Sequence, residues 1–158
     1  MGLIEIAHFF RLALRVGLID TGAVDRWVDS VIAAEPVVTF PFTELAGASK
    51  RRREDIDALL GQVPGHADCI IAGRMVLALL RRRLLDGTVE PDSAGKLAFE
   101  IARAGELTED EHYQTDALDD SIRLAASGTY GDKTTVRREI EEFLDQYQKF
   151  DEFIPTTV

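Results

Sequence analysis

Two pairs of residues in this chain have the types and the spacing of a metal site. A glutamate is followed three residues later by a histidine at Glu5 and His8, and again at Glu109 and His112. In a helix this spacing places both side chains on one face. Two such pairs supply half of the ligands of a di-iron or di-manganese carboxylate centre in a helical bundle. A metal-dependent enzyme is therefore one hypothesis for this chain.

The helical phase of these pairs argues against a metal centre. Each pair shares its stripe with charged residues, which are Arg11 and Arg15 for the first pair and Asp116, Asp119 and Arg123 for the second. We expect both stripes to face solvent, whereas a di-iron centre needs ligands that project into the core of the bundle. We therefore predict that the chain binds no metal and no cofactor.

The single cysteine, Cys69, is the other residue with catalytic potential. It opens an apolar run, and no histidine stands at a zinc-ligand spacing from it. No partner base for a nucleophile is visible either. The segment Gly128-Thr129-Tyr130-Gly131 precedes a predicted helix, but it lacks the lysine and the preceding strand of a phosphate-binding loop. We predict that Cys69 is a core residue and that the protein is not an enzyme.

The elements that must position these residues are helices, because apolar residues recur at helical spacing along most of the chain. The pattern predicts seven helices, at about 3–16, 23–35, 50–62, 67–86, 91–104, 109–127 and 133–150. Residues 37–48 are interpreted as an extended connection with one helical turn that packs Phe40, Phe42 and Leu45, and residues 151–158 as an irregular tail. We predict an all-α fold, a single-domain antiparallel bundle of six to seven helices over 1–158.

Capping residues support these boundaries. Thr108 and Glu111 have the spacing of a capping box, in which each side chain satisfies a backbone N–H of the other residue. Ser49 and Asp132 stand where N-cap residues of two further helices belong. Gly128 and Gly131 would let the chain turn sharply between the last two helices.

Composition indicates a protein of a reducing compartment. Hydrophobic residues make up 46% of the 158 residues, which is enough for a buried core without metals or disulfides. A single cysteine excludes an intrachain disulfide. The first helix carries charges at Glu5, Arg11 and Arg15 and is followed by no cleavage site, so we predict no secretion signal and a cytoplasmic location. The apolar run after Cys69 is too short to span a membrane.

The net charge of −10 is concentrated in the C-terminal third. Residues 106–158 hold 14 acidic and 5 basic residues, a net charge of −9. Such a field repels phosphate backbones and attracts a basic partner. Lys50–Arg53 is interpreted as a solvated segment with local ion pairs. Arg81–Arg83 lies near a predicted helix C-terminus, where cations favour the helix dipole. No nucleic-acid binding is predicted.

The acidic residues of the sixth helix suggest a binding surface. Three carboxylates lie in its first turn, where they favour the helix dipole: Glu109, Asp110 and Glu111. Asp116, Asp119 and Asp120 lie in mid-helix, where they would repel one another, and a cluster that costs stability is a better interface candidate. The alternative is a face that only aids solubility. The predicted partner-binding residues are Glu109, Tyr113, Asp116, Asp119, Asp120 and Tyr130.

The C-terminal segment also resembles a known class of proteins. The resemblance rests on Leu118-Asp119-Asp120, Leu124-Ala125, Gly128-Thr129-Tyr130-Gly131, Val136 and Phe143-Leu144. These residues are similar to those of small acidic helical bacterial immunity proteins encoded beside polymorphic or secreted toxins. The resemblance implies an acidic, single-domain cytosolic protein that binds and blocks a cognate toxin. Our hypothesis is that the acidic helical face occludes the basic active site of this toxin or effector domain. The alternative is a non-catalytic scaffold or regulatory subunit with an apolar helix groove, and a homodimer is compatible with the sequence.

Overall fold

The computed structural model describes residues 2–34, 40–104, 107–129 and 131–158, and within these ranges it contains helices and no β-strand. The predicted all-α fold is confirmed. Each of the seven predicted helices has a counterpart, and the one helical turn expected within 37–48 is present as a short helix at Phe42–Leu45. The part of the expected extended connection at 37–39 lies outside the described residues. The chain divides into two compact units, and the single domain predicted from the sequence stays a prediction.

The first unit comprises Met1–Asp68 and Pro155–Val158. Its helices are α1 at Leu3–Arg15, α2 at Thr21–Ala34, α3 at Phe42–Leu45 and α4 at Arg53–Leu60, with a 3-10 helix at Ala48–Lys50. The core contains a row of aromatic rings: Trp27 stacks on Phe10 at 4.7 Å between ring centroids and meets the edge of Phe42 at 5.6 Å. These side chains are almost fully buried, which fixes α1, α2 and α3 around one apolar centre.

The second unit comprises Cys69–Ile154. Its helices are α5 at Cys69–Leu85, α6 at Pro91–Arg103, α7 at Glu109–Ala126 and α8 at Lys133–Asp145, followed by a 3-10 helix at Gln148–Phe153. Six consecutive residues of α5, from Met75 to Leu80, are at most 3% exposed. A helix that is apolar on every side must be covered on every side, and α5 packs against α6, α8 and the 3-10 helix.

The caps of α7 and α8 confirm two of the predictions. The Oγ1 atom of Thr108 accepts a hydrogen bond from the Glu111 N–H, and the Glu111 carboxylate accepts one of 2.9 Å from the Thr108 N–H. Asp132 accepts a hydrogen bond of 2.8 Å from the N–H of Thr135. Between the two helices, Gly128 and Gly131 have φ angles of 69° and 76°, which only glycine adopts without strain. The predicted turn is therefore present at both of its glycines.

The structure corrects three details of the sequence analysis. Ser49 does not cap α4: it lies in the 3-10 helix and donates a hydrogen bond to Asp25, and α4 begins later, at Arg53. Phe40 does not join the core, since it is 54% exposed, although Phe42 and Leu45 are buried. The predicted last helix ends early, at Asp145, and the 3-10 helix that follows includes the first residues of the expected irregular tail.

Candidate protein-binding surface

The exposed face of α7 carries most of the predicted binding residues. The buried residues of this helix, Glu111, Thr115, Leu118 and Ile122, recur at helical spacing. At 100° per residue, the opposite side of the helix carries Glu109, Tyr113, Asp116 and Asp120, all of them exposed. These four residues are called the acidic stripe below. The structure therefore brings together four of the six residues predicted to contact a partner.

Local contacts organise the acidic stripe. The hydroxyl of Tyr113 donates a hydrogen bond of 3.2 Å to the Glu109 carboxylate one turn earlier, and the ring remains 64% exposed. Asp120 forms an ion pair with Arg123, and Asp116 lies 3.6 Å from the Nδ1 atom of His112. Of the mid-helix carboxylates, Asp120 is thus compensated by a charged side chain of its own helix.

Two predicted residues do not join the stripe. Asp119 is half-buried and lies on the flank of α7, 70° from the centre of the buried face. Tyr130 lies outside the described residues. The acidic stripe therefore rests on three carboxylates and one tyrosine.

Glu111 is the one buried acid of α7 within the described residues, and it is not part of the acidic stripe. It is only 7% exposed, and its carboxylate accepts hydrogen bonds from Arg74 Nε at 2.7 Å, from the Thr108 hydroxyl at 2.7 Å and from the Tyr147 hydroxyl at 3.2 Å. The capping box indicated a structural role for Glu111. The contacts with Arg74 and Tyr147 were not predicted, because no local pattern connects positions 37 and 36 residues apart.

The protonation states of Glu111 and Tyr147 follow from their contacts. Burial acts to raise the pKa of Glu111, but hydrogen bonds from Arg74 and Thr108 outweigh it, so the pKa lies below its ordinary value of 4.5. Burial and the nearby charge of Glu111 raise the pKa of the Tyr147 hydroxyl. At neutral pH, Glu111 is an acceptor and Tyr147 a donor. Shifted pKa values also occur at active sites, but the polar side-chain atoms of Glu111 and Tyr147 form hydrogen bonds within the fold.

A groove of about 600 Å³ lies between α7 and α8, beside the acidic stripe. Its α7 wall consists of Gln114, Ala117, Leu118 and Ser121, and its α8 wall of Glu139, Glu142, Phe143 and Gln146. This space is called the α7–α8 groove below. It was not located by sequence analysis, because hydrophobic periodicity identifies the buried face of each helix but not the gap left between two helices.

The Glu-x-x-His pairs have local partners. The Glu5 carboxylate accepts a hydrogen bond from the N–H of Gly2 at the start of α1, and Glu109 accepts the hydroxyl of Tyr113. His112 lies beside Asp116, as described above. Within the ranges that the structure describes, no group of three or more histidine, cysteine, aspartate or glutamate side chains is arranged to hold a metal ion.

The basic clusters form ion pairs. In the first cluster, Arg51 lies 3.3 Å from Glu44 and Arg52 lies 3.4 Å from Asp55. In the second, Arg81 contacts Asp145 and Asp151, Arg82 contacts Asp151, and Arg83 lies 4.0 Å from Asp86. The interpretation of the first cluster as a solvated segment with local ion pairs is confirmed for Arg51 and Arg52. In the second cluster, Arg81 is only 15% exposed, and the pairs of Arg81 and Arg82 join residues that are far apart in the sequence.

Comparisons with family models, curated proteins and solved structures find no match to this chain. Among the described helices, none combines the length and the apolar character that a membrane span requires.

Proposed function

We propose that this protein binds a basic protein partner through the acidic stripe of α7. One observation carries the proposal: Tyr113 is 64% exposed and stands between carboxylates one turn away on either side, Glu109 and Asp116. Tyrosine offers a large contact area at low entropic cost, and residues of this type are enriched among those that dominate binding energy. Its hydrogen bond to Glu109 holds the ring in one orientation before a partner arrives.

The charge of the C-terminal third supports a basic partner. Residues 106–158 carry a net charge of −9, and the acidic stripe lies within this segment. Complementary charge raises the rate of encounter and rejects partners of the same sign. Mobile ions screen exposed carboxylates, so the contribution of these charges to binding falls as salt is added.

We further propose that the partner is a toxin and that binding occludes its active site. This step rests on the resemblance of the C-terminal segment to immunity proteins. Enzymes that act on nucleic acids hold phosphates in basic clefts, and an array of carboxylates around an exposed tyrosine is chemically suited to such a cleft. Neutralisation of this kind is steric and electrostatic and requires no catalytic group on this chain.

The experiment is affinity capture from a lysate of the source cell, followed by mass spectrometry of the retained proteins. The bait Asp116→Lys/Asp120→Lys reverses two charges of the acidic stripe. The matched control Asp29→Lys/Glu100→Lys reverses two exposed carboxylates on α2 and α6. We expect one basic protein to be retained by the wild type and the control and lost from the stripe variant. Retention by all three baits would refute binding through the stripe.

The purified partner then tests the toxin assignment. Its toxic activity should be blocked by the wild type at equimolar ratio, and the stripe variant should need a large excess. The affinity should fall at least tenfold between 50 mM and 300 mM salt, because exposed charge pairs are screened over this range. A partner without toxic activity would refute neutralisation while leaving the binding surface intact.

The α7–α8 groove favours the second candidate function, a non-catalytic scaffold or regulatory subunit. A scaffold contact made mainly by apolar groups would be insensitive to salt. Capture that survives both the stripe substitutions and 300 mM salt would support this candidate against the first.

A further inference from the structure

The α7–α8 groove has walls of different chemistry. Its apolar lining residues are Ala117 and Leu118 on α7 and Phe143 on α8, and α8 also carries the carboxylates of Glu139 and Glu142. At one end, the side-chain amide of Gln146 donates a hydrogen bond of 3.3 Å to Gln114. Among the described residues, none that lines the groove is basic. The groove therefore offers an apolar strip with negative charge along one side.

The charge of this groove is not shared by the neighbouring surface. A second depression of about 530 Å³, at the beginnings of α6 and α8, is lined by Glu90 and Asp92 but also by Lys133 and Arg137. Of the two carboxylates of the α7–α8 groove, Glu142 lies 3.7 Å from Arg138. Both of these side chains are about 70% exposed, so the pair is weak and can be exchanged at little cost. Glu139 forms no ion pair within the described part of the chain.

The dimensions of the groove suit a helix. Its lining residues run from position 114 to 121 on α7 and from 139 to 146 on α8, which is two turns of each helix and roughly 10 Å of length. A helix laid in such a groove presents anchors at positions i, i+3 or i+4, and i+7. Its apolar side chains would rest on Leu118 and Phe143. Lysine or arginine side chains on its flank would reach Glu139 and Glu142.

We infer that the α7–α8 groove receives a basic amphipathic helix of the partner protein. This inference rests on the proposed function, which is the binding of a basic protein. It adds that a helix of that protein is the part that docks. Charge complementarity selects this occupant, because the groove combines apolar lining residues with two carboxylates, of which only Glu142 has an ion-pair partner among the described residues, and that pair is exposed. The acidic stripe and the groove are adjacent sides of α7, so one partner can contact both.

The test uses a model peptide, so it does not depend on isolating the partner. The probe is a fluorescein-labelled helical peptide of leucine and lysine with an apolar face of two turns, and a peptide with glutamate in place of lysine is its control. Fluorescence anisotropy measures the affinity for the full-length protein in 150 mM salt. We expect saturable binding of the lysine peptide and none of the glutamate peptide.

Three variants locate the peptide. Glu139→Gln/Glu142→Gln should weaken binding at least tenfold, whereas Asp116→Asn/Asp120→Asn, which changes the net charge equally but on the acidic stripe, should change it less than threefold. Ala117→Trp fills the groove from an exposed position and should abolish binding. Equal effects of the two charge variants, or full binding by Ala117→Trp, would overturn the inference. Circular dichroism confirms that each variant is folded.

The experiments distinguish a wrong assignment of the groove from a wrong proposed function. If capture of a basic partner depends on the acidic stripe but the peptide ignores the groove, the proposed function stands and the groove inference falls. If sedimentation shows a dimer that Ala117→Trp dissociates, a second copy of this chain occupies the groove and the inference is wrong.

Discussion

The hydroxyl of Tyr147 donates a hydrogen bond to Oε1 of Glu111, a residue 36 positions earlier in the chain. The same carboxylate completes the capping box of α7 and accepts Arg74 from α5. One buried carboxylate therefore connects the beginning of α7, the residue that precedes the 3-10 helix after α8, and the central helix of the second unit. This contact holds the two walls of the α7–α8 groove together at the end opposite the glycine turn.

The first prediction concerns this contact. Tyr147→Phe keeps the ring, which is packed against Phe143, and removes the hydroxyl. Because the lost hydrogen bond is buried and its acceptor is charged, we expect the free energy of unfolding to fall by about 1.5 kcal/mol. Urea denaturation followed by circular dichroism measures it. The matched control is Tyr113→Phe, which removes an exposed hydrogen bond and should change stability by less than about 0.5 kcal/mol. Equal effects would mean that the buried contact does not stabilise the fold.

The second prediction is the pH dependence of the Glu111 contribution. The folded-state pKa lies below the ordinary value of 4.5, so the contribution is fully present above pH 4.5 and is lost as the pH falls through the folded pKa. Glu111→Gln should therefore be less stable than the wild type at pH 7. The difference should shrink steadily below pH 4.5, because protonation gives the wild type a neutral side chain as well. A difference that stays constant down to pH 3 would contradict the lowered pKa.

The two features of Glu111 were not equally predictable. A capping box is a local pattern of four residues, so the pairing of Thr108 with Glu111 could be predicted from the sequence. The contacts with Arg74 and Tyr147 depend on how three helices pack, and nothing in their spacing marks them. For the same reason, exposed and buried acids of α7 looked alike in the sequence, although the buried Glu111 serves the fold and the exposed Glu109, Asp116 and Asp120 belong to the acidic stripe.

The end of α8 shows the same limit. Apolar periodicity continues through Tyr147 and predicts one long helix to residue 150. The helix ends instead at Asp145, which pairs with Arg81, and the following 3-10 helix is attached through Asp151 to Arg81 and Arg82. The change from an α-helix to a 3-10 helix thus occurs where ion pairs join residues 64 to 70 positions apart, and apolar periodicity does not predict it. The α7–α8 groove also depends on packing, whereas the acidic stripe follows from helical phase alone.

The third prediction concerns a carboxylate in the first unit that serves two arginines. Asp57 accepts two hydrogen bonds from Arg11 and two from Arg15, one turn apart on α1, at 2.7–3.2 Å. Asp57→Asn should lower the free energy of unfolding by about 2 kcal/mol, because a neutral amide replaces the charged acceptor of all four hydrogen bonds. The fluorescence of Trp27, the single tryptophan of the chain, follows unfolding of this unit.

The control for Asp57 lies on the same helix. Asp55 is half-exposed and makes one contact of 3.4 Å with Arg52, so Asp55→Asn should change stability by less than about 0.5 kcal/mol.

Burial acts to raise the pKa of Asp57, but its hydrogen bonds with Arg15 and Arg11 lower the pKa overall. The contribution of Asp57 is therefore present above its ordinary value of 3.8 and lost below it. Equal losses from both substitutions would show that the paired arginines are not held by Asp57.

The fourth prediction concerns the close packing of α6 on α7. Gly95 lies in α6 and is buried, and a Cβ atom at this position would overlap the Cδ1 atom of Ile122 on α7. Alanine is favoured over glycine inside a helix by about 1 kcal/mol, but we expect Gly95→Ala to destabilise the protein by about 1–3 kcal/mol through overpacking. Ile122→Val removes Cδ1 and should by itself cost about 1 kcal/mol. The double variant should be more stable than Gly95→Ala alone, a favourable coupling that a double-mutant cycle of urea denaturation measures directly. Additive losses would mean that α6 and α7 separate to admit the methyl group, and the approach of the two helices would then not depend on glycine.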